Sequence, residues 1–378
     1  MMGDSRGWGQ RVVLLRDYDG KRVRIGVHLV TGNNTTPSYN RKPGIYVDDA
    51  SFATGEMEFN SPDDLENGLG NWSVEGGVWG WGEPDFADGP EPLSGAKVFG
   101  TNLRGNTDVN QDARLVSPEF LIDGDENPRF RFAYWHSLGS QSKGVVQISV
   151  DGGAWEDLDA PMMGDSRGWG QRVVLLRDYD GKRVRIGVHL VTGNNTTPSY
   201  NRKPGIYVDD ASFATGEMEF NSPDDLENGL GNWSVEGGVW GWGEPKFADG
   251  PEPLSGNKVF GTNLEGNTYV NQDARLVSPE FLIESNYTNP RFRFAYWHSL
   301  GSQSRGVVQI SVDGGAWEDL DAPMMGNSGG WGQRVVPLRD YDGKRVRIGV
   351  HLVTGNNTTP SYNRRPGIYV DDASFATN

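Results

Sequence analysis

The stretch Gly164-Asp165-Ser166-Arg167-Gly168 fits G-x-S-x-G, the spacing that presents a nucleophilic serine on a strand-to-helix turn. Its context argues otherwise: Pro161-Met162-Met163 precedes it and a strand-like run from Gln171 follows, with no helix signal. It is read as a turn between strands. The equivalent of Asp165 near the end of the chain is Asn327, so the acid is not retained in every copy. A second constellation is the pair Asp209-Asp210 near the end of a strand-like run. Adjacent carboxylates repel unless a cation lies between them and a further ligand, and hard oxygen donors suit calcium. The five histidines, His28, His136, His189, His298 and His351, show no ligand spacing along one element, so zinc is not expected.

The elements that must position these groups come in repeats. Residues 1–84 and 162–245 are identical, and 324–377 repeats 1–54 with four changes: Asp4/Asn327, Arg6/Gly329, Leu14/Pro337 and Lys42/Arg365. A short block (1–54, 162–215, 324–377) alternates with a long one (56–161, 217–323). A period near 160 residues is too long for a solenoid and suits whole domains.

A net charge of −16 argues against nucleic acid as a partner, and no apolar run is long enough for a membrane span. Zero cysteines exclude disulfides and thiol chemistry. An acidic, cysteine-free array suits a secreted or cell-surface setting.

Alternating runs dominate. Phe130, Phe132 and Tyr134 share one face of 128–136, and Val146, Ile148 and Val150 one face of 144–150. Asp151-Gly152 then signals a hairpin. Val184, Ile186, Val188 and Leu190 line a further strand, 206–213 reads as the last, and earlier strands are expected at 72–75, 78–81, 96–99 and 114–122. Pro337 in place of Leu14 marks an edge, bulge or strand end. The expected fold is all-β, a β-sandwich. On its outward face Arg131, Trp135, Gln147, Arg185 and His189, with Trp297 in the next copy, could grip a glycan by stacking ring on pyranose.

Asp64-Leu65-Glu66-Asn67-Gly68, Gly80-Trp81-Gly82-Glu83-Pro84, Ser94-Gly95 through Thr101-Asn102-Leu103-Arg104-Gly105-Asn106, Leu115-Val116-Ser117-Pro118, Ser149-Val150-Asp151-Gly152-Gly153-Ala154-Trp155 and Ile206 to Phe213 occur in this order. The series resembles the meprin/A5/mu-like (MAM-like) domains that accompany immune-inhibitor-A-type secreted proteases and bacterial surface proteins. The resemblance implies tandem jelly-roll domains at 56–215 and 216–378, preceded by the C-terminal third of another copy at 1–55. The chain would then begin inside a longer array. The permuted division, 1–161 and 162–323, is the alternative. The resemblance also implies structural calcium held by Glu66 with Asp209 or Asp210 and by Glu227 with Asp371 or Asp372, helped by Asp64 and Asp225, with a carbonyl near Ser94.

The leading expectation for function is a non-enzymatic extracellular stalk or adhesive array whose partners are other copies of the same domain or chain. The alternative is a carbohydrate-binding accessory region of a secreted hydrolase. Residues 1–54 carry apolar strand faces at Val12, Leu14, Val23, Ile25, Val27 and Leu29 and should pack on a long block, in this chain or another.

Overall fold

The computed structural model describes residues 7–31, 44–166, 168–194, 202–218, 220, 222–320, 322–356 and 364–377. Among these described residues eleven strands follow one another in the first unit: β1 (Ser73–Glu75), β2 (Gly80–Gly82), β3 (Val98–Gly100), β4 (Asp112–Val116), β5 (Phe120–Leu121), β6 (Arg129–Ser137), β7 (Lys143–Val150), β8 (Trp155–Asp157), β9 (Gly170–Leu175), β10 (Arg183–Val191) and β11 (Gly205–Ala214). Eleven more repeat them: β12 (Ser234–Glu236), β13 (Gly241–Gly243), β14 (Val259–Gly261), β15 (Asp273–Val277), β16 (Phe281–Leu282), β17 (Arg291–Ser299), β18 (Arg305–Val312), β19 (Glu318–Asp319), β20 (Gly332–Pro337), β21 (Arg345–Val353) and β22 (Gly367–Ala376). The chain is all-β.

Each unit holds two antiparallel sheets. In the first, one sheet runs β1-β4-β10-β7-β8 with β5 also on β10, and the other runs β2-β3-β11-β6-β9. The two central strands, β10 and β11, both come from the short block 162–215 and so need long apolar runs to bury. Their inner faces meet across an aromatic layer. Phe120 packs on Phe130 at 5.1 Å and stacks on Phe213 at 5.1 Å, and Trp72 sits 5.5 Å from Phe99. Phe130, Phe132, Val184 and Leu190 are all at most 1% exposed. Each such side chain contributes roughly 1.5–3 kcal/mol of burial.

Asp151 and Gly152 turn β7 into β8 with positive φ angles of 50° and 76°, a local geometry that Asp-Gly accepts at low cost. The run expected as one strand at 114–122 is two, because Ser117-Pro118 interrupts it and proline cannot donate to a ladder. Pro337 closes β20, which is the outer strand of its sheet.

Residues 7–16 lie on the first unit. Trp81 N donates to the Trp8 carbonyl at 2.9 Å, Val74 N to Gln10 O at 2.6 Å, and Arg16 reaches both carboxylate oxygens of Glu119 at 2.5 and 2.6 Å. Beyond Tyr18 the segment forms no strand among its described residues, and Ile25, Val27 and Leu29 are exposed by 64%, 55% and 53%. Their sequence twins Ile186, Val188 and Leu190 are buried in β10. Residues 1–6 and 32–43 lie outside the described set.

Candidate functional site: an outer-sheet platform and the cleft beside it

Alternation along β4, β7 and β10 sends Arg114, Gln147, Arg185 and His189 outward on one sheet. The indole of Trp155 from β8 lies among them, with Arg114 at 4.6 Å and Arg185 at 5.3 Å from its ring. Arg114 donates from Nε to Gln147 at 2.8 Å and from its terminal nitrogen to Glu75 at 2.8 Å, and Gln147 donates on to Asp157 at 2.6 Å. His189 Nε2 sits 2.7 Å from Asp112 Oδ1. Gly187 makes this flat arrangement possible: a Cβ there would stand 2.7 Å from Arg114 Cδ and 3.0 Å from the Trp155 ring. The second unit repeats the platform with Trp317, Arg275, Gln309, Arg347, Glu236 and Gly349.

This divides the glycan-binding set expected from sequence. Arg185 and His189 belong to the platform. Arg131 and Trp135 stand on β6, in the other sheet, so the five residues form no common surface. Arg131 donates to Ser212 Oγ at 2.6 Å and to Asn232 Oδ1 of the second unit at 2.8 Å, which makes it a joint residue. Trp135 sits edge-on to Tyr207 at 5.6 Å, and Trp297 does the same to Tyr369. Trp155, at the centre of the platform, was not in the glycan-binding set expected from sequence. The missed signal was its position just after the Asp-Gly turn, where a short return strand lays its side chain on the sheet.

The second unit's platform is also the floor of a cleft of about 380 Å³, walled by Asp159, Arg172 and Tyr179 of the first unit. Arg172 is buried and donates from Nε to Asp159 Oδ2 at 3.0 Å. Burial pushes the Asp159 carboxyl up to about 6, against the pull of Arg172. Burial acts the same way on Glu236, but Arg172, Arg275 and Arg347 outweigh it and hold that carboxyl below its ordinary range. Charges from two units are therefore balanced inside one cleft.

The carboxylates assigned to calcium gather around one loop. The backbone of β11 bulges at Asp209–Ala211, with Asp210 at φ 39°, and this aims two successive carboxylates the same way. Asp209 Oδ2 accepts from Leu93 N at 2.8 Å and Ser94 N at 3.2 Å, while Ser94 Oγ donates to Asp210 at 2.7 Å. Glu66 Oε1 takes the amides of Ala96 and Lys97 at 2.8 and 2.7 Å, and Asp64 accepts from Glu66 N at 3.1 Å. Glu227, Asp225, Asp371 and Asp372 repeat these contacts with the loop 254–258. Asp209 is fully buried, and its other oxygen, Oδ1, accepts from the amide of Asp210 at 2.8 Å. Burial therefore raises its carboxyl to about 7, and that of Asp371 to about 6. A divalent ion would neutralise these buried oxygens, whose partners in the structure are the amides of Leu93, Ser94 and Asp210. No group of three or more His, Asp or Glu converges at ligating distance among the described residues, so backbone carbonyls would have to complete its shell.

Ser166 Oγ is buried between its own turn and β6, donating to the His136 carbonyl at 3.2 Å. Asp165 accepts from Ser137 Oγ and, across the joint, from the Tyr269 hydroxyl at 2.6 Å. His136 is fully buried, and burial lowers its imidazole to about 4.

No protein-family model matches the chain. Bacillopeptidase F of Bacillus subtilis (strain 168) is 29% identical over 152 residues, 39% of this chain and 10% of that protein. The chain thus spans about a tenth of the length of this curated relative. Among solved structures, TmCBM61 in complex with β-1,4-galactotriose aligns at 13% identity and a TM-score of 0.29, covering 43% of this chain and all of that one. The CBM22-1–CBM22-2 tandem of Paenibacillus barcinonensis Xyn10C aligns at 13% identity and a TM-score of 0.27, covering 87% and 99%.

Proposed function

We propose that the chain is a non-enzymatic, extracellular accessory region of a larger protein, in which jelly-roll units stack end to end as a stalk. The observation that carries this is the joint. Residues 168–177 grip the second unit with the contacts that residues 7–16 make on the first. Trp242 N donates to the Trp169 carbonyl at 2.8 Å, Val173 N donates to Ser234 Oγ at 3.0 Å, and Arg177 holds Glu280 at 2.5 and 2.6 Å. A joint made of backbone hydrogen bonds, a buried ion pair and apolar contact resists bending, as a spacer requires. The exposed strand-like segment 22–30 would complete a further long block of the same kind, which gives such an array a route to self-association. Small-angle scattering tests the reading: one extended, stiff particle is expected, and a distribution typical of two freely moving units would overturn it.

Calcium belongs to this proposal. It would be held by Glu66, Asp209 and Asp210, and by Glu227, Asp371 and Asp372, with Asp64 and Asp225 shaping the turn. Its role would be to neutralise the buried aspartate and fix the first strand region to the last.

A second reading, glycan binding, rests on the platform. An indole flanked by two guanidiniums and an amide offers a stacking surface with directed hydrogen-bond donors, the chemistry of a sugar site. Glycan-array binding by the intact chain tests it.

A further inference from the structure

The cleft beside the second platform is built by both units, and each brings a different kind of group to it. Its floor is the Trp317 indole of the second unit. Gly349 lets that ring lie on the sheet, since a Cβ there would stand 2.9 Å from it, and this turns the other face of the indole toward the cleft. Arg275 and Arg347 lie 4.6 and 5.2 Å from the ring centre. The wall is Asp159, Arg172 and Tyr179 of the first unit. At about 380 Å³ the space falls within the roughly 300–1,000 Å³ of small-molecule sites.

Most of the charge in the cleft is already spent. Arg172 donates to Asp159 at 3.0 Å, and Arg275 donates to Glu236 at 2.7 Å. Asp273 holds His351 at 2.6 Å and, like Asp178, is exposed at the rim. Arg347 differs. Among the described residues its guanidinium donates from Nη2 to the neutral Ser311 Oγ at 3.2 Å, and its Nε is buried without a partner. Burial disfavours its charge more than Glu236 and Glu280 support it. Three inner guanidiniums, Arg172, Arg275 and Arg347, thus face two inner carboxylates, Asp159 and Glu236, and one positive charge is left unmatched.

We propose that this cleft is a composite site for an acidic saccharide, with a sugar ring stacked on Trp317, its carboxylate on Arg347, and its hydroxyls toward Asp159 and Tyr179 of the first unit. The proposal rests on the platform reading of glycan binding and narrows it to one ligand class at one platform. A single unmatched guanidinium asks for a single negative charge, and its planar fork fits a planar carboxylate. A neutral sugar would cover Arg347 without pairing it, which costs desolvation with no return. Because floor and wall belong to different units, the ligand binds the docked arrangement and stabilises it in proportion to its occupancy.

The test titrates the full chain with a glucuronate trisaccharide, a neutral glucose trisaccharide and a sulfated glucose trisaccharide at one ionic strength. The glucuronate sugar should bind about tenfold or more tightly than the neutral one, the worth of a hydrogen bond to a charged group. Arg347→Gln should remove that preference and Arg347→Lys should restore part of it, with melting temperatures measured without sugar to show that both variants are folded. Lys246→Ala, a positive charge lost beside the other sheet of the same unit, should leave the preference intact. Gly238→Val, which acts at the joint through Met162, should abolish binding once tryptophan emission shows the joint open. Failure of the glucuronate sugar to bind at millimolar concentration would overturn the proposal. So would a preference that survives Arg347→Gln, or equal affinity for the sulfated sugar. Neutral-sugar binding that is lost on Trp155→Ala and Trp317→Ala, with no preference for carboxylate, keeps the platform reading and refutes this inference alone. Absence of binding by all three sugars refutes both.

Discussion

Arg177 of the first unit holds Glu280 of the second with one nitrogen at 2.5 and 2.6 Å from its two carboxylate oxygens, and Glu280 is only 3% exposed. Arg345 stands 3.6 Å from the same carboxylate, so the acid sits between a cation of its own unit and one of its neighbour. Arg177→Ala removes the neighbour's share. The second unit should lose about 1.5–3 kcal/mol, the usual range for a hydrogen bond to a charged group. Denaturant unfolding followed per unit, with scattering for the joint, checks both halves of this.

Gly238 should tolerate nothing larger. A Cβ there would lie 2.3 Å from Met162 Cγ of the preceding unit, at a φ of 91° that side chains avoid. Gly238→Val should open the joint and expose Trp169, seen as a red shift in tryptophan emission. Gly266→Ala is the control, because a Cβ at Gly266 meets nothing within 4 Å.

Calcium and pH should act together at Asp209 and Asp371. Each carboxyl is raised, from 3.8 up to about 7 and about 6, so between those values the folded chain holds protons that the unfolded chain has released. In chelator these two groups therefore make stability fall as pH rises from about 4 to 7. Millimolar calcium should raise the melting temperature strongly at pH 7.5 and weakly at pH 5, where protons compete for the carboxylates. Equal melting with calcium and with chelator at pH 7.5 would count against the ion.

His136 titrates in the opposite sense. Its folded value of about 4 lies below the ordinary 6.5, so over that window the unfolded chain binds the extra proton and stability falls as pH drops. In chelator, a volume-conserving His136→Leu should flatten the acid side of the stability profile, measured as the melting temperature from pH 6.5 to 4.

Glycan binding, where present, should depend on the platform tryptophans. Trp317→Ala and Trp155→Ala should abolish it while leaving the melting temperature nearly unchanged. Trp135→Ala should leave binding alone and lower stability by about 1 kcal/mol through the lost edge-on contact with Tyr207. Retained binding in both platform variants would remove this reading.

Much of the fold is legible in single strands. Alternation at Phe130, Phe132 and Tyr134 gives the buried face of β6, and Asp151-Gly152 gives the turn into β8, because both signals depend on a few neighbouring residues. The carboxylate cluster around the loop at 93–97 was half legible. The acidic pair stands out by type and Glu66 entered only through the family resemblance, but the bulge that aims Asp209 and Asp210 at one loop is a matter of backbone register between β6 and β11, which pairs residues far apart in the chain. The platform was mostly hidden: whether an outward residue lies on one sheet or the other depends on which strands pair, and that separated Trp135 from Arg185. The clearest division is at the repeated edge. Val12, Val173 and Val335 follow the same Trp-Gly-Gln-Arg, so by itself the sequence gives the three stretches one strand signal, which becomes β9 and β20 but no strand at 9–15. Tertiary structure alone decides that Val173 is buried, Val12 half-buried and Val335 exposed. Burial depends on what lies across the edge, which for Val173 is Ser234 on the second unit and for Val12 is Ser73 on the first, pairings between residues about 60 positions apart that the local pattern does not encode.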